Sequence, residues 1–141
     1  MPGQFDDGGV RFLFPENWRL EREDTGEGWT VSVQSPGTAF LLITVNTDLP
    51  SPDAMLATAL AALQAEYKDL EFEDSIDSIA GLPAIGHDIR FIALDLTNTC
   101  WTRCFYGAGG TVLVLCQCND LESELNEPVL RAMCKSLEVD D

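Results

Sequence analysis

The 141-residue chain carries 24 acidic residues against 8 basic ones and a single histidine, for a net charge of −16. A field of this sign repels nucleic-acid phosphates and anionic lipid headgroups, which reward clustered Lys and Arg, so both are excluded as partners. Hydrophobic residues make up 45% of the chain, yet no apolar run nears the ~20 residues of a spanning helix; the chain reads as one soluble domain over residues 10–139 behind a flexible N-terminal segment, 1–9.

That segment shows no basic stretch, long apolar core or lipidation-type Cys, which points to a cytoplasmic protein without an export signal. Five cysteines, Cys100, Cys104, Cys116, Cys118 and Cys134, are an odd number in a chain large enough to fold unaided. This suits reduced, buried thiols better than a disulfide scaffold.

In chain order, Val10 to Phe14 reads as a short strand ending at the turn Pro15-Glu16-Asn17, and Trp18 to Arg22 as a second strand with one wet face. Trp29 to Gln34 alternates strictly, and Phe40 to Val45 is an apolar run of strand composition. Ser51-Pro52-Asp53 then opens a helix, with Ser to cap, Pro at the first position and Asp complementing the positive end. Leu56, Leu60, Leu63 and Tyr67 follow at helical spacing, and their full burial is worth about 6–12 kcal/mol before entropy. Leu70 to Ile76 alternates with acidic residues, as an edge strand shielded from aggregation does. Residues 79–84 form a turn, and Glu127-Pro128 opens a closing helix bearing Val129, Leu130, Met133, Cys134 and Leu137. Asp120, Glu122 and Glu124 precede it.

Between these lies the stretch that organises the chain, residues 86–119. Ile92, Leu94, Leu96, Cys100, Cys104 and Tyr106 occupy even positions and Asp95, Thr97, Thr99 and Arg103 odd ones, which predicts a strand with an even-numbered core face. Thr111 to Cys116 is apolar on both faces, as a central strand covered on two sides is. Gly107-Ala108-Gly109-Gly110 joins the two; a strand follows it rather than a helix N-terminus, so the glycines serve a hairpin and not a phosphate loop. The order of elements predicts an α+β domain: a twisted antiparallel sheet of about six to seven strands sandwiched between helices.

Phe14-Pro15-Glu16-Asn17-Trp18, a helix after the early strands, Gly81-Leu82-Pro83-Ala84 before the long hairpin, and a closing helix together resemble the PsbP-like superfamily from Val10 to Val139. That family includes the PsbP subunit of photosystem II, a Ran-binding nuclear import factor and the bacterial DcrB-type proteins. The resemblance implies an antiparallel sheet between helices and a non-enzymatic protein that binds other proteins.

No catalytic constellation stands out. His87 is the one side chain whose ordinary pKa suits acid–base work near neutrality, but with no nucleophile close in sequence it reads first as a surface histidine, a Cys–His pair with Cys100 or Cys104 being the alternative. Cys100, Cys104, Cys116 and Cys118 invite zinc, but their spacings are not those of metal knuckles, and facing Gly107 with Gly110 pairs Cys100 with Gln117. No cofactor is expected. Surface carboxylates or the hairpin cysteines offer the alternative of a metal- or small-ligand-binding domain. The first reading is an acidic, non-enzymatic adaptor, monomeric because its edge strand is charged, that engages a protein through Trp101, Arg103 and Phe105. Aromatic and Arg residues are favoured interface anchors, although a stripe of this kind under the closing helix is simply core.

Overall fold

The computed structural model describes residues 2–140. Ten strands and two helices follow in the order β1 (Gly3–Asp7), β2 (Val10–Phe14), β3 (Arg19–Thr25), β4 (Gly28–Gln34), β5 (Phe40–Asn46), α1 (Pro52–Glu66), β6 (Glu71–Ile79), β7 (Leu82–Ala93), β8 (Leu96–Gly107), β9 (Gly110–Asn119), α2 (Ser123–Ser136) and β10 (Glu138–Val139). A seven-stranded sheet runs β3-β4-β5-β9-β8-β7-β6, and a three-stranded sheet runs β1-β2-β10. Every pairing is antiparallel. No helix among the described residues is long and apolar enough to cross a membrane. The α+β sheet expected from the element order is the one observed.

Pattern dictates burial most plainly in the centre. β9 lies between β5 and β8, and Thr111 to Val114 are all buried, as the doubly apolar run requires. One face is covered by α1, whose Leu56 is buried with Cys104 and Leu113 while Leu60, Leu63 and Tyr67 lie partly buried on Ile89, Phe91 and Cys100. Tyr67 stacks on Phe91 at 4.0 Å between ring centres. Of the four stripe residues only Leu56 is fully buried, so burial along α1 falls toward the lower end of the expected energy. The Ser51 hydroxyl accepts a bond from Ala54 N at 3.1 Å and caps the helix as predicted.

The other face carries the main core. Val31, Val33, Leu41, Ile43, Val45, Val112 and Val114 meet Leu130 and Met133 of α2, Leu137 just beyond it, and Phe5, Val10 and Phe12 of the small sheet. Gly3 to Asp7, expected to belong to a flexible lead-in, form β1 and pair with β2, and Phe5 is buried against Phe12 and Trp29. One aromatic residue in a polar segment gives little periodic signal, but its burial secures the strand.

Two turns correct the expected layout. The even-numbered core face does not run unbroken from Ile92 to Tyr106: it holds within β8, where Cys100 and Cys104 are buried, but the chain reverses before it at Leu94-Asp95, where both residues take positive φ (55° and 62°) and Ala93 pairs with Leu96. Ile92 and Leu94 are consequently exposed, Leu94 to 96%, and Tyr106, at the far end of β8, is exposed as well. Leu is an unusual residue for a two-residue turn of this kind, which favours Asn, Asp and Gly. The turn after β6 is only Ala80-Gly81; Ile79 already pairs with Leu82 and Pro83 with Ser78. Pro83 is tolerated because β8 pairs with β7 only from Ile85 onward, so its missing N–H faces no ladder partner there.

The closing helix also begins earlier than expected. α2 starts at Ser123, with Glu122 at its N-cap and Pro128 inside it. Glu122 and Glu124 thus belong to the helix start, where carboxylates complement the dipole.

Candidate functional site

α2 rests on β9 and β2 and stops short of the β6–β7 edge of the large sheet. The uncovered strip forms a trough of two adjoining hollows, about 580 and 780 Å³, which share Trp101, Arg103 and Arg131. Register explains the floor. Strand alternation puts Glu71, Glu73 and Asp77 of β6, Asp88 and Arg90 of β7, and Thr99, Trp101 and Arg103 of β8 on one face, while α2 supplies Glu127 and Arg131 as a wall.

Arg103 anchors the floor. It lies opposite Gly86 in the β7–β8 register, and a Cβ at Gly86 would collide with the Thr102 carbonyl and press on Arg103 Cδ. The missing side chain lets the arginine cross β7 toward β6. Its Nε donates to Asp77 Oδ2 at 3.3 Å and its Nη2 to Asp88 Oδ1 at 3.0 Å, while Nη1 donates to the carbonyls of Thr102 (2.8 Å) and His87 (3.4 Å). The guanidinium side chain is only 8% exposed, its two acids about half exposed. Asp77 is held below the usual carboxylate range, chiefly by the bond it accepts from Ser78 N and then by Arg103.

Above this floor, the Arg131 guanidinium sits 4.9 Å over the Trp101 ring and pairs with Glu127 at 3.1 Å. A cation over an indole at a partly exposed site contributes about 0.5–1 kcal/mol. Five of the eight basic residues of the chain, Arg11, Arg90, Arg103, Arg131 and Lys135, line the two hollows, against six of its 24 acids. The rest of the molecule is left almost purely acidic.

The three residues expected to anchor a partner are all under cover. Trp101, Arg103 and Phe105 are buried, Phe105 in the main core and Trp101 beneath Arg131. The reason is that their face of β8 is the one facing α2. Trp101 and Arg103 still form the trough floor, but the exposed group is Arg131, whose side chain is 60% exposed. Sequence reading passed over Arg131 and Arg90 because only the strand register and the helix position bring them together. Gly86 was the available signal, as an isolated glycine inside a strand pattern marks close approach.

The hairpin cysteines do not converge. Cys100 pairs with Gln117 and Trp101 with Cys116, so Cys100 and Cys104 face α1 while Cys116 and Cys118 face α2. Four thiols on two sides of a sheet cannot bind one tetrahedral ion. Burial pushes Cys100 and Cys104 up to about 12, so both remain thiols at neutral pH.

His87 shares the α1 side with Cys100 and Cys104 but bonds to neither. Its Nε2 is 3.4 Å from Asp74 Oδ1, its ring meets Phe72 edge-on, and its buried Nδ1 has no hydrogen-bond partner. Among the described residues, no group of three or more His, Cys, Asp or Glu is placed to hold a metal.

No family model and no curated protein matches the sequence. Solved structures do. Cyanobacterial PsbP (CyanoP) from Synechocystis sp. PCC 6803 superposes with a TM-score of 0.59 at 14% identity, over 98% of this chain and 92% of that one. The fold is PsbP-like.

LpqN of Mycobacterium tuberculosis, involved in cell envelope biogenesis, matches the same PsbP-like frame with a TM-score of 0.54 at 17% identity, over 100% of this chain and 90% of that one. PA94 of Pseudomonas aeruginosa, a protein of unknown function, matches at 0.52 and 12%, over 92% and 91%. The resemblance carried by the Phe14 to Trp18 segment and the order of elements therefore holds for the fold. At these identities it transfers no residue roles.

Proposed function

We propose that this PsbP-like chain is a non-catalytic accessory domain that binds a protein partner, and that the partner lays a carboxylate-bearing segment in the trough between α2 and β6–β8. The observation that carries this reading is the gathering of basic side chains around Trp101 and Arg131 in a chain of net charge −16. The surrounding acidity disfavours long polyanions, whereas one or two carboxylates on a peptide can reach Arg131 and Arg90 locally. Arg131 is the binding group and its planar guanidinium suits bidentate capture of a carboxylate. Trp101 and Arg103 act beneath it as a rigid base. The buried cysteines favour a reducing compartment, which we take to be the cytoplasm, and the carboxylates of β6 keep the domain monomeric.

The test is selection of peptides from a random display library on the wild-type protein, followed by heteronuclear NMR titration of the selected sequences. The expected result is peptides rich in Asp or Glu that shift the Trp101 indole N–H, with Arg131→Glu abolishing the shift. Selected peptides that perturb only residues outside the trough, or that bind Arg131→Glu as well as the wild type, overturn the reading.

A further inference from the structure

The larger of the two hollows, about 780 Å³, contains a feature that the binding reading does not use. Cys134 of α2 is partly exposed and lines that hollow, and its Sγ is 3.7 Å from the Sγ of Cys116, which is fully buried on β9. The other three cysteines lack this arrangement: Cys100 and Cys104 are sealed under α1, and Cys118 is buried and lines neither hollow. We propose that Cys134 is a site of oxidation by hydrogen peroxide, with Cys116 as the resolving thiol, so that mild oxidation staples α2 to the central strand of the sheet.

The two sulfurs need to close from 3.7 Å to the roughly 2.0 Å of a disulfide, a movement within reach of side-chain rotation and a slight settling of the helix. Access favours Cys134 as the attacking sulfur, and electrostatics agree. The hydrogen bond from the Cys116 thiol, followed by the nearby Arg131 and Arg103, holds Cys134 below an ordinary thiol, while burial pushes Cys116 well above one. A thiolate that is accessible and next to a resolving thiol is the arrangement that peroxide selects.

The chemistry closes on itself. The Cys134 thiolate attacks one peroxide oxygen, the O–O bond breaks, and the departing hydroxide takes a proton to leave as water. Cys134 is then a sulfenic acid. The Cys116 sulfur attacks it, the S–S bond forms, the S–O bond breaks, and hydroxide leaves with the Cys116 proton as a second water. Two thiols lose two electrons and one peroxide is reduced to two waters.

Brief exposure of the native, reduced protein to hydrogen peroxide, followed by intact mass measurement and non-reducing peptide mapping, tests this. The expected product has lost two hydrogens and contains a crosslink between the Cys116 and Cys134 peptides. Cys134 should react more than about tenfold faster than Cys100 or Cys104, since it opens to the hollow whereas they are buried under α1, where burial pushes their thiols up to about 12. In Cys116→Ser, dimedone should trap a sulfenic acid at Cys134. Equal oxidation of Cys100 or Cys104, a crosslink between other cysteines, over-oxidation of Cys134 without a crosslink, or no reaction at Cys134 would each overturn the proposal. The wild-type crosslink decides the matter even where the serine variant folds poorly. None of these readouts depends on what occupies the trough.

Discussion

Removing the acids around Arg103 should harm the protein more than removing Arg103 itself. The guanidinium is 8% exposed, whereas Asp77 and Asp88 are about half exposed. Asp77→Ala with Asp88→Ala strands a cation on the trough floor with only the carbonyls of Thr102 and His87 to hold it, and an uncompensated buried charge costs about 3–5 kcal/mol. Arg103→Met keeps the apolar stem that lies across Gly86 and releases two carboxylates that water can solvate. Its loss is that of charge-assisted bonds at a half-wet site, about 1–2 kcal/mol. Combining the three substitutions should restore about 2 kcal/mol relative to the double variant, a coupling expected only for groups in direct contact. Urea unfolding followed by tryptophan fluorescence measures all four proteins under one condition. If Arg103→Met proves as costly as the double variant, or the triple variant is no more stable than the double, the guanidinium is not held by these carboxylates and the account of the trough floor is wrong.

Two further outcomes follow from local geometry. Because Asp77 is depressed in the folded state, its contribution is complete above the ordinary carboxylate pKa and is lost as pH falls through the lower folded value; stability curves of wild type and Asp77→Asn should therefore hold a constant offset above about pH 4 and converge below it, and an offset that persists or widens as the pH falls would contradict the sign. Replacing Leu94-Asp95 by Asn-Gly should raise stability by about 1 kcal/mol, because a left-handed conformation is costly for Leu and natural for the new pair. An unchanged or lowered urea midpoint would mean that the 55° and 62° φ values do not describe this turn in solution.

How much of this was legible beforehand depended on whether a signal was periodic or relational. Val31 and Val33, the Thr111 to Val114 run and the Ser51 cap announce themselves through spacing or chemistry, and each is where its pattern puts it. Leu94 was misread because a residue with strand propensity occupies a turn, so alternation seemed to continue through a reversal. Phe5 was missed since a single aromatic among Gly, Gln and Asp has no period to detect. α2 was started late because Pro128 resembles a first-turn proline although the helix is already under way at Ser123. The trough was the least visible part. Trp101 and Arg103 were noticed for their types, but the gap at Gly86 depends on which strand lies beside which, and the cover by Arg131 and the Cys116–Cys134 contact on where α2 docks. Composition gave the correct total charge and no hint that its positive minority is gathered in one place.

The small sheet has one further implication, for the order in which the molecule is completed. β10 pairs with β2 through Val139 to Val10, and Asp140 N donates to the Gly9 carbonyl, so contacts that finish one edge of the core join residues distant in sequence. During synthesis, β2 emerges before β9, α2 and β10 and waits for them before the apolar face bearing Val10 and Phe12 can be sealed. Closing so long a loop pays its entropy late. Assembly of this edge therefore has a built-in delay, and the interval before α2 docks is when the unfinished protein most needs protection from association with its neighbours.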